Sequence, residues 1–142
     1  MKQLLSILIM IFSIGFLTGC SGNNNTVQTC VISNNAYETK KDIEAASSED
    51  SFSEGDDIFV SIHFIESPKG MKYGVKWYLD NKEIKYEVKE TQNDMQDILV
   101  YELESDKVVK GQLKFEVLYN DTILLTQEAT IQWGSIYEHF KS

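Results

Sequence analysis

Alternation of apolar and other side chains along short segments constrains the fold of this chain more than any other feature. The clearest case lies between positions 58 and 65, where one parity is apolar throughout: Ile58, Val60, Ile62 and Phe64. The opposite parity includes Ser61 and His63. A period of two residues is typical of a β-strand with one buried face. The pattern therefore predicts a strand whose outward face carries His63.

Turn residues separate this segment from others with the same period. Pro68 and Gly70 follow it, Asp80-Asn81-Lys82 reverses the chain after the next segment, and Asn120-Asp121 precedes the last one. Such residues favour the backbone conformations of tight turns. The predicted strands are 27–33, 58–65, 72–79, 84–88, 98–103 and 111–119, with a last strand that ends before Gly134. Short strands, regular turns and no long helix predict an all-β fold, a single β-sandwich of about seven antiparallel strands.

The parity of strand 72–79 predicts its core residues. Val75, Trp77 and Leu79 share one face, while Lys76 and Tyr78 share the other. We therefore expect Trp77 in the core of the sandwich. Ile84, Tyr86 and Val88 alternate on the returning strand. The expected inward positions of the next two strands are Leu99, Tyr101 and Leu103, then Leu113, Phe115, Val117 and Tyr119.

The hairpin that turns at Asn120-Asp121 has two conceivable registers. A two-residue loop would place polar residues of the last strand, such as Thr126, on the inner face. A three-residue loop pairs Val117 with Leu125 and carries Ile131 onto the same face. A shift of one residue inverts every side chain of a strand, so the more apolar face should be buried. We expect a three-residue or bulged loop with Asn120 or Asp121 in a left-handed conformation.

The segment 34–57 is long, polar and acidic. Its centre, 37–46, is compatible with either a helical turn or a short edge strand, and Phe52 is expected to attach its end to the core. Between 49 and 57 it carries Glu49, Asp50, Glu54, Asp56 and Asp57. Calcium prefers oxygen ligands of this kind, but the spacing of a known calcium loop is absent, and a solvated loop is the alternative.

Several short motifs resemble those of immunoglobulin-like domains in bacterial surface lipoproteins. They are Phe52-Ser53-Glu54-Gly55-Asp56 before a strand, Pro68-Lys69-Gly70 after it, Val75-Lys76-Trp77-Tyr78, and Gly111 with Phe115, Val117 and the Asn-Asp turn. The resemblance covers residues 27–133 and lacks the paired cysteines of antibody domains. It implies that Trp77 packs against residues such as Ile62 and Phe115 without a disulfide. It also implies a module that binds, spaces or supports other proteins, and it transfers no catalytic residue.

The start of the chain has the parts of a secretory signal peptide: Lys2, an apolar run from Leu4 to Phe16, and a small-residue exit. As a helix the run would reach roughly 20 Å, less than the membrane's hydrocarbon core of about 30 Å. The exit resembles the lipobox of bacterial lipoproteins, formed here by Leu17, Thr18, Gly19 and Cys20. The resemblance implies that Cys20 is lipidated after removal of 1–19. The alternative is an ordinary signal peptide in which Cys20 is incidental.

The predicted organisation is therefore a signal peptide at 1–19, a flexible tether at 20–26, the sandwich at 27–133 and a C-terminal tail at 134–142. It predicts a protein anchored by lipid to the cell membrane and facing outside the cytoplasm. The formal charge of −9 argues against nucleic acid as a partner, because an unpatterned acidic surface repels it. With Cys20 acylated, Cys30 has no partner for an intramolecular disulfide and is expected to be a buried, inert thiol.

Residues suited to catalysis are sparse. His63 and His139 are the only histidines, and neither belongs to a spaced metal-ligand motif. The nucleophile motif Gly-x-Ser-x-Gly is absent. These observations predict a protein that is not an enzyme and that has neither a cofactor nor a metal site.

Aromatic side chains at outward or turn-adjacent positions are the better candidates for function. Phe59 and Tyr78 are predicted to form a binding surface, and Tyr73 is a third exposed aromatic. The alternative is that the long segment or the tail covers them. The predicted function is a non-catalytic protein-binding or spacer module whose partner is another envelope protein. The alternative function is a surface-displayed inhibitor or an accessory subunit of an envelope enzyme or transport system.

Overall fold

The computed structural model describes residues 26–134. Its elements are β1 (Val27–Ser33), α1 (Lys40–Ala45), β2 (Ser51–Ser53), β3 (Ile58–Ser67), β4 (Lys72–Leu79), β5 (Lys82–Glu90), β6 (Met95–Leu103), β7 (Gly111–Tyr119) and β8 (Thr122–Gln132), with a 3-10 turn at Ser105–Lys107. The signal peptide with its lipobox, most of the tether and nearly all of the tail lie outside the described residues.

The strands form two sheets that pack face to face as an immunoglobulin-like β-sandwich. One sheet has the order β1-β3-β6, and the other has the order β2-β8-β7-β4-β5. The predicted all-β sandwich is confirmed. The structure has eight strands rather than about seven because the acidic segment contributes β2, which runs parallel to β8. Phe52 at the centre of β2 is buried in the core, as expected from the sequence.

The core lies between the sheets and contains the predicted inward residues of β3, β4, β6 and β7. Trp77 is fully buried, and its ring centroid lies 5.7 Å from that of Phe115. On the neighbouring part of the interface, the rings of Phe64 and Tyr73 stack at 3.9 Å between centroids. The Tyr101 hydroxyl donates a hydrogen bond of 2.6 Å to the Tyr73 carbonyl. Aromatic and hydrogen-bonded contacts thus join strands of opposite sheets.

The hairpin between β7 and β8 combines features of both conceivable registers. Tyr119 pairs with Thr122 across a two-residue loop, and Asn120 adopts a left-handed φ of 56°. The register then shifts between Val117 and Leu118, so that Val117 faces Leu125 as predicted. A bulge after the short loop therefore restores the apolar face of β8 to the core.

Residues 34–46 cover the outer face of the three-stranded sheet. The centre of this segment is helical: the Thr39 side chain caps α1 by accepting a hydrogen bond from the Asp42 amide. Ile43 of α1 is fully buried against β1 and β3. Ahead of the helix, the Tyr37 amide donates to the Ser61 hydroxyl at 2.9 Å. The cover buries side chains that a bare sheet would expose to water.

His63 lies on the outward face of its strand, as predicted, but this cover buries it. The side chain does point away from the core, as its parity requires, but only 3% of its surface is exposed. Its strand neighbours in the three-stranded sheet are Thr29 and Ile98. Strand periodicity reports the face on which a side chain lies, but it does not reveal a segment that packs over that face.

Two lysines of β5 close one side of the sandwich. Lys85 donates to the Glu102 carbonyl, and Lys89 donates to the Val100 carbonyl. These acceptors lie on β6, which is an edge strand of the other sheet. Lys85 also binds the Glu104 carboxylate at 2.8 Å, and this hydrogen bond lowers the pKa of Glu104. Inward-pointing charges of this kind protect sheet edges from pairing with other chains.

Cys30 of β1 is partly buried against the core. Burial raises the pKa of its thiol to about 12. The thiolate is the reactive form of cysteine, and a raised pKa disfavours it. The thiol is partly buried, and its inertness stays a prediction.

Trp77→Ala should destabilise the domain by about 3–5 kcal/mol, because a large side chain is removed from a close-packed core. Trp133→Ala is a matched control, since the Trp133 side chain is 62% exposed and its ring lies against the Lys110 ammonium at the protein surface. The control should cost about 1 kcal/mol or less. Urea unfolding of both variants measures the difference. Equal unfolding midpoints would contradict the central position of Trp77.

Lys85→Met should lower the free energy of unfolding by about 1–3 kcal/mol, because the Glu102 carbonyl and the Glu104 carboxylate lose their charged hydrogen-bond donor. The matched control is Lys82→Met, at an exposed position of the same strand, with an expected change within about 0.5 kcal/mol. Chemical denaturation at neutral pH measures both.

The pH dependence provides a second test of this contact. Because the folded-state pKa of Glu104 is lowered, its pairing with Lys85 stabilises the domain at neutral pH and is lost as the pH falls through that pKa. The stability difference between the wild type and Lys85→Met should therefore shrink in acid. A difference that is constant with pH would show that Glu104 takes no part.

Candidate functional site

The two aromatic residues predicted to form one binding surface lie on opposite sides of the sandwich. Phe59 lies between the core residues Ile58 and Val60, on the outer face of the three-stranded sheet. Tyr78 follows Trp77 in β4 and lies on the outer face of the five-stranded sheet. Each side chain is partly exposed. One partner surface cannot contact both, so the two positions define separate candidate surfaces.

Tyr73, the third aromatic expected to be exposed, is buried at 2% exposure. Its ring stacks on Phe64, and its hydroxyl lies 2.8 Å from the Ser67 hydroxyl. The sequence expectation is wrong here because Tyr73 has the same parity as Val75 and Trp77. Its position beside the Pro68 turn does not take it out of the core.

An apolar row crosses the outer face of the five-stranded sheet. Strand register places Val88 of β5 beside Gly74 of β4, Gly74 beside Leu118 of β7, and Leu118 beside Ile123 of β8. Val88 is 48% exposed and Ile123 is 49% exposed, whereas Leu118 between them is buried. The row of Val88, Gly74, Leu118 and Ile123, together with Tyr86, is called the apolar row below.

Tyr86 lies across the glycine at the centre of this row. A Cβ atom at Gly74 would come within 2.6 Å of the Tyr86 ring, so the absence of a side chain there lets the ring lie flat on the sheet. The Lys76 ammonium is 5.2 Å from the centroid of the same ring. Tyr86 is nevertheless 46% exposed. The arrangement presents a broad aromatic surface that is already fixed in position.

Tyr78 lies farther along the same face and is held by charged neighbours. Its hydroxyl donates a hydrogen bond of 2.9 Å to the Glu116 carboxylate, and the Lys114 ammonium lies 4.6 Å from its ring centroid. Burial, the hydrogen bond to Glu116 and the negative charges of Glu116 and Glu83 raise the pKa of Tyr78. Tyr78 is thus a neutral, positioned side chain at the border of the apolar row.

Sequence reasoning missed the most exposed members of this face. The alternation of Ile84, Tyr86 and Val88 indicated a strand, but Lys85 and Lys89, which have the opposite parity to Tyr86 and Val88, point inward to the β6 edge. The register shift between Trp77 and Tyr78 helps set this orientation. The signal that could have revealed it was the second, charged alternation of β5, which suits an edge strand with inward-pointing charges.

The acidic loop does not gather its carboxylates into one site. Glu49 accepts a hydrogen bond from the Ser33 hydroxyl, and Asp56 accepts one from the Ser53 amide. Within residues 26–134, no group of three or more His, Cys, Asp or Glu side chains is placed to hold a metal ion. Glu49 thus connects the acidic loop to the end of β1, and Asp56 stabilises a local turn.

Over the same residues, no helix combines the length and apolar character that a membrane crossing requires.

Comparisons with known proteins show no family for this chain. No protein-family model matches the chain, and no curated protein does. A β-glucosidase from Listeria innocua is 14% identical with a TM-score of 0.46, over 63% of this chain and 15% of the enzyme chain. The chain thus corresponds to a small part of that enzyme.

Two solved structures are matched over nearly their whole length. A CARDB domain from Pyrococcus furiosus, solved in complex with di-metal ions, is 9% identical with a TM-score of 0.41, over 76% of this chain and 96% of that one. An immunoglobulin-like protein from Pseudomonas aeruginosa is 11% identical with a TM-score of 0.44, over 72% and 96%.

Proposed function

We propose that this protein is a lipid-anchored, extracytoplasmic and non-catalytic module that binds another envelope protein through the apolar row. The observation that carries the proposal is the exposure of Tyr86, Val88 and Ile123, each close to half, on one sheet face. Isolated exposed apolar residues are ordinary, but a contiguous set on one face is typical of an interaction site.

The chemistry of the row suits a protein partner. The buried centres of protein interfaces are enriched in tyrosine and depleted in charge, and their margins are polar. Tyr86 and its neighbours provide such a centre, while Lys76, Lys114 and Glu116 lie beside it on the same face. Both signs of charge are present at this margin, so they can fix the orientation of a partner.

The anchor limits where that partner can be. Acylation of Cys20 with two chains would give stable membrane attachment, which a single chain does not. A seven-residue tether at 20–26 spans at most roughly 25 Å. The domain would therefore remain close to the bilayer, and its acidic charge would keep it from lying on anionic lipid. A membrane-associated protein of the envelope is the partner that fits this range.

A second role, as a displayed inhibitor or accessory subunit, is favoured by the ordered segment 34–57. This segment contains α1 and β2 and is connected to the sheets by hydrogen bonds such as Glu49 to Ser33. A preorganised segment of this kind is suited to docking beside an enzyme site. The two roles differ in whether binding changes the activity of the partner.

Cys20→Ser should release the protein from the membrane fraction or block its processing, because serine cannot accept the thioether-linked lipid. Fractionation of cells and metabolic labelling with a fatty acid measure the outcome. Ser21→Ala is the matched control, since it alters the neighbouring residue and leaves the thiol. Normal trimming and membrane retention of Cys20→Ser would disprove the lipid anchor.

Tyr86→Ser combined with Ile123→Ser should leave the fold intact and abolish partner capture, because both side chains are exposed and contribute to the same face. Capture is measured by crosslinking in intact cells, followed by recovery of the anchored protein in detergent. Phe59→Ser is the control on the opposite face. If Phe59→Ser abolishes capture and the double variant retains it, the binding face is wrongly assigned.

A further inference from the structure

A cleft of about 410 Å³ lies on the other side of the sandwich from the apolar row. Residues 34–46, β3, the β5–β6 connection and the start of β6 form the walls of this open cleft. Its lining residues are Glu38, Lys40, His63, Asn93, Asp94, Gln96, Asp97 and Ile98. The volume is that of a site for a small molecule, which typically occupies several hundred Å³.

The imidazole of His63 is incompletely hydrogen-bonded at this cleft. Nε2 lies 3.2 Å from Oε1 of Gln96, which is an exposed side chain. With that carbonyl as acceptor, Nε2 carries the proton and Nδ1 is left as an acceptor. Nδ1 is buried and has no partner among the described residues. Nδ1 is shielded from the cleft as well as from water, so His63 takes part in the cleft wall through its bond to Gln96 and not through Nδ1.

Carboxylate and ammonium groups at the margin of the cleft are available to bind a ligand. Neither the Glu38 carboxylate nor the Lys40 ammonium forms a hydrogen bond or ion pair with another residue of the range 26–134. Asp94 uses one carboxylate oxygen to accept from the Lys69 amide at 3.1 Å. Its second oxygen has no such contact within the described residues. A ligand with a positive and a negative end would satisfy these groups together.

Asp97 contributes a fixed negative charge rather than a free one. Its carboxylate accepts from the Gln92 and Asn93 amides at 2.6 and 3.1 Å, and from the Ile98 amide at 2.9 Å. Burial alone would raise its pKa, but hydrogen bonds from the Asn93 side chain and these amides outweigh it and lower the pKa. Asp97 thus holds the connection 92–98 in shape and strengthens the preference for a cation.

We propose that this cleft binds a small zwitterion of amino-acid to dipeptide size. Glu38 and Asp94 would receive its ammonium group, and Lys40 would receive its carboxylate. The side-chain oxygen of Asn93 and the side-chain nitrogen of Gln96 suit a peptide bond, because together they accept and donate; the other amide atoms of these residues bind Asp97 and His63. A sugar fits less well, since no aromatic side chain lines the cleft for ring contact. This site is independent of the proposed protein interface, from which it is separated by both sheets.

The test uses L-alanyl-L-alanine as the probe and a folded, unlipidated form of the chain in which Cys20 is serine. Amide resonances of 38–40 and 92–98, together with the His63 ring protons, should shift and saturate in the millimolar range or below. N-acetylation of the probe removes its ammonium group, and C-terminal amidation removes its carboxylate. Each change should weaken binding by about tenfold or more.

Variants with matched controls separate a site from a general surface effect. Glu38→Gln and Lys40→Met alter the cleft margin, while Glu44→Gln and Lys41→Met make the same changes at exposed positions outside the lining. Each of the two cleft variants should weaken binding of the dipeptide by about tenfold. Each of the two control variants should leave that binding unchanged. The proposal is overturned if no resonance shift saturates, if both blocked probes bind as well as the free dipeptide, or if the two pairs behave alike.

Discussion

The two sheets are joined through Tyr73, and much of the remaining structure depends on that contact. Its ring stacks on Phe64 of the opposite sheet, and its backbone carbonyl accepts the hydroxyl proton of Tyr101. One residue of β4 is thereby connected to both β3 and β6. These contacts fix how the sheets align, and the alignment brings the lysines of β5 within reach of the β6 edge.

Strand positions could be predicted from the sequence because a buried face imposes a period of two, which is visible over a few residues. The burial of Trp77 and the inward set of β7 follow from this local rule, while the first strand at 27–33 follows from the β-forming residue types of that segment. The bulged hairpin at Asn120 was also predictable, since one register buries apolar residues and the other does not. In each case, residues close together in the sequence contain the information that predicts the structure.

The surfaces could not be predicted in the same way, because they depend on residues distant in sequence. His63 is buried by a segment about twenty residues earlier in the chain, and nothing within its own strand indicates that cover. The outward position of Tyr86 depends on lysines whose acceptors belong to another strand. Long-range packing therefore decides which residues are accessible to ligands. Parity places Phe59 and Tyr78 on outward faces, but it does not reveal that these faces belong to different sheets.

The end at which β1 begins has a consequence for geometry at the membrane. The Thr26 carbonyl accepts from the Ile65 amide, so the chain enters the sandwich beside the last residues of β3. The turn that follows β3 leads to Gly74 within a few residues, and Ile123 lies next to the turn at Asn120 of the same end. In the proposed arrangement, the apolar row and the cleft near Gln96 lie on opposite faces of the sandwich but towards the same end, which the tether holds close to the lipid headgroups. A membrane-associated partner would then meet the apolar row almost in two dimensions, where confinement raises its effective concentration without any stronger contact.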